Sequence, residues 1–173
     1  RGLWAGPYLS DVFGLAPVER GTILLIMATS MSAGALIYGP LDRVFGGYKW
    51  ISVIGTAITA LAFLGLAFLT PSLTTAAILL SALGAAGMTY GVLMAHGRAF
   101  VPDHLLGRGI TFLNILFIGG AAIIQPISGA VMNRLLQGSP EFAYAILHGG
   151  FAVLLLASLA IYLLAKDVRR DHL

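Results

Sequence analysis

Five apolar stretches, each long enough to cross a bilayer, take up most of this chain, and its charged residues fall almost entirely between them. Crossing ~30 Å of hydrocarbon needs about 20 mainly apolar helical residues, because a helix rises ~1.5 Å per residue and lipid offers its backbone no other hydrogen-bond partner. The stretches cover residues 21–41, 50–70, 74–96, 109–132 and 142–165, separated by the breakers Gly46-Gly47, Thr70-Pro71-Ser72, Pro102 and Gly138-Ser139-Pro140. Hydrophobic residues make up 58% of the sequence and charged ones 10%, with mean hydropathy +0.93; a soluble domain of 173 residues could not bury that much apolar surface. An all-α, polytopic integral membrane protein is therefore expected, with membrane lipids as its first partners. Short connections make consecutive helices antiparallel neighbours. A further apolar stub at 2–9, carrying Trp4 and Tyr8, is too short to span and reads as the second half of a sixth helix.

The net charge of +3 and pI near 9.5 suggest an anionic partner in a soluble protein; here the basic residues set topology, and no nucleic-acid partner is expected. Arg43, Lys49, Arg98, Arg108, Lys166, Arg169 and Arg170 fall on one side of the membrane, Arg20 and Arg134 on the other, and Arg1 lies on the stub. The positive-inside rule places the first group, and the C-terminus, in the cytoplasm. The absence of cysteine excludes disulfides and thiolate metal sites.

An internal repeat emerges when the first full span is laid over the fourth. Arg20-Gly21 opens one and Arg108-Gly109 the other; Ala33-Gly34-Ala35 matches Gly119-Gly120-Ala121-Ala122. The closing segments are Gly39-Pro40-Leu41-Asp42-Arg43 and Gly129-Ala130-Val131-Met132-Asn133-Arg134. An offset of about three helices makes the copies enter the membrane from opposite faces, the inverted 3+3 topology of many secondary transporters.

Gly39, Asp42 and Arg43, followed by Gly46 and Lys49, resemble the loop signature of the major facilitator superfamily (MFS), and the resemblance to its C-terminal six-helix half extends over the whole chain. The spacing departs from that signature: the first Gly is three residues before Asp42 instead of four, two residues instead of one separate Arg43 from Gly46, and Lys49 alone stands for a basic pair. The resemblance implies that residues 1–173 form one transmembrane bundle with an incomplete first helix, the N-terminal half being absent from this sequence and acting as a partner. It also implies a transporter that moves a small solute by alternating access, in the bacterial inner (plasma) membrane. Physically, the loop is either a gate or a topology-setting basic segment; Lys49 and Arg43 can hold anionic lipid or a facing acid.

Polar residues inside spans are expensive in lipid and normally face the bundle interior or a water-filled path. No carboxylate lies within the five spans. Asn114 and Gln125, eleven residues and about three turns apart, share a helix face, and Gln125-Pro126 favours a kink. Thr29 and Ser30 lie mid-span; Thr56 and Thr59 read as packing residues. Carried over from the resemblance, the substrate-path candidates are Trp4, Tyr8, Ser30, Met31, Met88, Thr89, Tyr90, Asn114 and Gln125. Each has a plainer alternative: an interfacial belt for Trp4 and Tyr8, ordinary packing for Met88. Met27 and Met31, one turn apart, also read as packing, and His104 as solvated; no metal or cofactor is expected.

His96 and His148 raise a haem-bearing redox subunit as an alternative, although they fall on opposite sides of the bilayer's middle. A non-transporting scaffold or sensor is a second alternative. No nucleotide-binding loop, catalytic triad or paired carboxylate points to an enzyme.

Overall fold

The computed structural model describes residues 2–69 and 72–167, excluding the side chains of Asp42 and Arg43. Arg1, Thr70, Pro71, Arg169 and Arg170 lie outside the described residues, as do the Asp42 and Arg43 side chains on which a gate would depend. The described residues form helices α1 (Gly2–Phe13), α2 (Pro17–Phe45), α3 (Lys49–Phe68), α4 (Leu73–Ala86), α5 (Tyr90–Arg98), α6 (Leu106–Leu135) and α7 (Pro140–Tyr162), with a short 3₁₀ turn at Asp103–Leu105. Five segments are long and apolar enough to cross a membrane, α4 and α5 together making one of them.

Local chemistry sets most of the ends. Gly14 and Gly46 both adopt left-handed backbone, with φ of 64°, which L residues with a Cβ resist; they terminate α1 and α2. Ser72 and Ser139 cap α4 and α7 by accepting the amides of Thr75 and Phe142 at 3.3 and 3.4 Å. Pro17 and Pro140 occupy first-turn positions, where a missing N–H costs nothing.

Three boundaries differ from the sequence reading. The stub is longer, because Ser10-Asp11-Val12-Phe13 continues the helix up to Gly14, so that Asp11 belongs to α1. The first full span ends at Leu41 as expected, but its helix does not: α2 runs from Pro17 through Pro40 to Phe45, since one lost amide interrupts a ladder without ending it and the left-handed stop waits for Gly46. The span expected at 74–96 is divided between α4 and α5.

Helices α3 and α7 pack most extensively, followed by α2 with α4 and α3 with α4. Small residues permit the α2–α4 approach. A methyl group added to Gly34 would collide with the Ala85 carbonyl oxygen and stand 2.8 Å from its Cα; one on Gly84 would stand 2.7 Å from the Met27 carbonyl oxygen. The main buried cluster lies towards one end, where Tyr8 and Leu9 of α1 meet Phe63 and Leu66 of α3, Leu80 and Leu83 of α4, and Tyr144 and Leu147 of α7. By contrast, α6 exposes Phe112, Ile115, Leu116, Ile123 and Ile127, and α2 exposes Leu25, Leu36 and Ile37.

Candidate solute pathway at a broken helix

Gly87, Met88 and Thr89 leave the helical path in the middle of a membrane-length segment. Gly87 is a weak helix former; its amide still makes the α-helical bond to the Leu83 carbonyl, and the turn tightens one residue later, where the Met88 amide reaches back only to the Ala85 carbonyl at 3.5 Å. The carbonyl of Ala86, at the end of α4, accepts a hydrogen bond from the Tyr38 hydroxyl of α2 at 2.8 Å. In hydrocarbon an unpaired carbonyl is costly, so this contact lets the break persist at depth. Gly55 on α3 makes the arrangement possible. A methyl group there would overlap the Tyr38 hydroxyl and stand 2.5 Å from Thr89 Cγ2 and 3.1 Å from the Ala86 oxygen.

Beyond the break, Tyr90 opens α5. Its hydroxyl donates to Oδ1 of Asn114 on α6, and its ring lies 4.4 Å from that of Phe117. Asn114 is half-buried and Thr89 is 8% exposed. Two cavities flank the break. One, of about 360 Å³, lies between α2 and α5 and is bounded by Tyr38, Tyr48, Met88 and Tyr90; Gly39 also lines it. The other, of about 330 Å³, is bounded by Thr56, Thr59 and Thr89 with Ile124 and Ser158. Thr56 and Thr59, read from the sequence as packing residues, therefore border open space; Thr59 still satisfies its hydroxyl on the Gly55 carbonyl of its own helix.

The structure thus brings together Met88, Thr89, Tyr90 and Asn114. The other sequence candidates lie elsewhere. Met31 packs against Gly84, one turn before the break. Ser30 donates to Ile26 and Thr29 to Leu25, each within α2. Gln125 is exposed while Asn114 meets Tyr90, and α6 runs through Pro126 without interruption. Trp4 donates its indole N–H to Ser128 on α6 at 3.0 Å. Tyr8, 2% exposed, belongs to an aromatic cluster with Phe13, Tyr144 and His148 and borders a separate cavity of about 440 Å³.

At the opposite end, three chain segments are fastened together. Lys49 donates its backbone amide to Asp167 and its ammonium to the Leu163 carbonyl at 2.8 Å, so it caps the end of α7 while facing an acid through its amide. The left-handed turn at Gly46 directs the chain into this contact. His96, raised from the sequence as a candidate haem ligand, is 3% exposed: Nδ1 lies 2.6 Å from the Tyr162 hydroxyl and Nε2 3.0 Å from the Lys166 carbonyl. His104 is exposed.

Sequence reasoning missed Tyr38, Gly55, Ser128, Tyr162 and Asp11. Tyr38 and Ser128 each immediately precede a glycine of the repeated segments, a signal that was present in the pattern. Asp11, a carboxylate at the end of α1, accepts the Tyr144 hydroxyl at 2.7 Å; it lay just beyond the stub as first delimited. No family model, no curated protein and no solved structure matches the chain.

Proposed function

We propose that this chain is one bundle of a secondary transporter of facilitator-superfamily type, moving a small solute by alternating access. The observation that carries the proposal is the helix break at Gly87–Thr89. Non-helical backbone at membrane depth is tolerated where it is buried in protein or lines a water-filled space, and broken helices are a recurring way of building transporter sites. Here the break has cavities on both sides and a Tyr90–Asn114 hydrogen bond beside it.

Two further features support the reading. Tyr38 and Ser128 stand at equivalent places in the repeat, before Gly39 and Gly129. Each bonds the opening helix of the other three-helix set: Tyr38 reaches α4 and Ser128 receives Trp4 of α1. An inverted 3+3 arrangement accounts for that exchange. The uncovered faces of α2 and α6 supply a surface for a second bundle, against which this one would rock. On the loop charges, the end holding Lys49, Arg98 and Lys166 faces the cytoplasm of a bacterial cell and the C-terminus lies there.

The redox alternative is disfavoured by its ligands. His96 meets Tyr162 whereas His148 lies fourteen residues earlier on α7, about 21 Å along the axis. The chain contains no cysteine, so single cysteines can test access directly. Placed at Thr89, which borders the cavity bounded by Thr56 and Thr59, one is expected to react with small impermeant thiol reagents applied from either face of the membrane. Protection from both faces would overturn the transport reading. Cysteines at Ser72 and Ser139 are expected to label from outside intact cells and one at Val44 only after permeabilisation; the reverse would invert the orientation.

A further inference from the structure

We infer that the cavity between α2 and α5 is a binding site for a small, uncharged organic solute with an aromatic or similarly flat apolar face; this rests on the transport reading and names the substrate class of that site. The walls are specific in what they offer. Tyr38, Tyr48 and Tyr90 present aromatic surface and Met88 a polarisable thioether, while the rest of the lining consists of small or aliphatic residues. Among the described residues, none that lines the cavity is Asp, Glu, Lys, Arg or His. Among the described side chains, two ionisable residues directly follow lining residues: Lys49, after Tyr48, whose ammonium is engaged by the Leu163 carbonyl, and His96, after Ala95, whose ring nitrogens are engaged by Tyr162 and Lys166.

Charge decides the class. A formal charge entering a low-dielectric cavity loses its hydration and requires a counter-charge, which these walls do not supply. Ring faces attract cations, but that attraction is weaker than the lost hydration of an uncompensated ion. A neutral solute loses far less and gains the contact of three rings. Volume sets the size: about 360 Å³ at roughly 30 Å³ per water-sized unit holds about a dozen non-hydrogen atoms, the size of a single substituted ring.

Two glycines mark the accessible space. A methyl group added to Gly39 or to Gly91 meets no atom within 4 Å, and both residues line the cavity, from α2 and α5 respectively. A side chain grown from either position therefore starts in open space at the cavity wall. Both positions suit blocking variants.

The test uses three probes that share a ring and differ in charge: benzyl alcohol, benzoate and benzyltrimethylammonium. Saturation-transfer NMR is recorded for the full chain in lipid nanodiscs, for Gly91→Leu and Gly39→Leu, and for empty nanodiscs. Circular dichroism and thermal unfolding check that each variant folds. Benzyl alcohol is expected to give a signal above the empty-disc level that falls at least fivefold in both variants, while the two ions give no variant-sensitive signal. Variant-sensitive binding of either ion, or benzyl alcohol binding unchanged by both substitutions, would overturn the assignment. Proteoliposome uptake of benzyl alcohol analogues is read separately, with the chain reconstituted together with its second bundle: specific binding without uptake leaves the substrate class standing and removes the transport reading, whereas uptake that both variants leave unchanged removes this cavity from the path.

Discussion

Replacing Gly55 with Ala tests whether the break is held by the contact between α2, α3 and α4. The new methyl group cannot coexist with the Tyr38 hydroxyl in its present place and stands 2.5 Å from Thr89 Cγ2. Tyr38 must move, and its 2.8 Å hydrogen bond to the Ala86 carbonyl is lost. Leaving a buried carbonyl unpaired costs about 1–3 kcal/mol, and crowding at Thr89 adds about 1–3 kcal/mol, so Gly55→Ala is expected to destabilise by roughly 2–6 kcal/mol. Tyr38→Phe removes the same bond without crowding and is expected to cost about 1–2 kcal/mol. Because both substitutions break one hydrogen bond, the double variant should cost less than the sum by about 1–2 kcal/mol. Reversible unfolding in bicelles, read by tryptophan fluorescence and circular dichroism, supplies the four values of the cycle. Additive effects, or a Gly55→Ala protein as stable as the parent, would refute the claim that Gly55 gives Tyr38 its place.

Gly34→Ala forces α2 away from the Ala85 backbone and is expected to lower stability by about 1–3 kcal/mol in the same assay, more than Gly39→Ala, whose added methyl meets open space. Trp4→Phe and Ser128→Ala each remove the α1–α6 hydrogen bond and should each cost about 0.6 kcal/mol from that bond, with little further loss when combined. Asn114→Leu deprives the Tyr90 hydroxyl of its acceptor; hydrogen exchange over the first turn of α5 should rise, and solute uptake should fall while the protein stays folded. Unchanged uptake at unchanged affinity would remove Asn114 from the path.

Hydropathy made the five membrane-length segments legible because it reports composition averaged over a window, and the residues that cross lipid must be apolar whatever their backbone does. The same averaging concealed the break. Residues 74–96 read as one helix, since Gly87 and Thr89 barely lower the mean; what separates α4 from α5 is a hydroxyl arriving from Tyr38, nearly fifty residues earlier. Asn114 was legible as a polar group needing a partner, but Tyr90 as that partner was not, because the pairing depends on how α5 packs against α6. Gln125 was placed on the same face by helical geometry, yet the structure leaves it exposed, as α6 has few neighbours along that length. His96 is legible in the sequence only as a lone histidine near a helix end; its burial depends on α7 folding back over it. Glycines proved ambiguous in isolation: Gly39 borders open space, whereas Gly34 and Gly55 are required by close approach, and no feature of the local sequence distinguishes them.

The clasp between Lys49 and the end of α7 also imposes an order of assembly. The two groups joined, the Lys49 amide and the Asp167 carboxylate, are 118 residues apart. At about 5–20 residues per second of synthesis, the first waits roughly 6–24 s for the second to emerge. Throughout that interval α3 stands in the bilayer without its largest packing partner, α7, and with Ser52 and Thr59 not yet enclosed. The early helices thus enter the membrane as a set of neighbours awaiting closure. The last helix completes the bundle, and a ribosome stalled before α7 would leave an inserted but unlocked intermediate for membrane quality control.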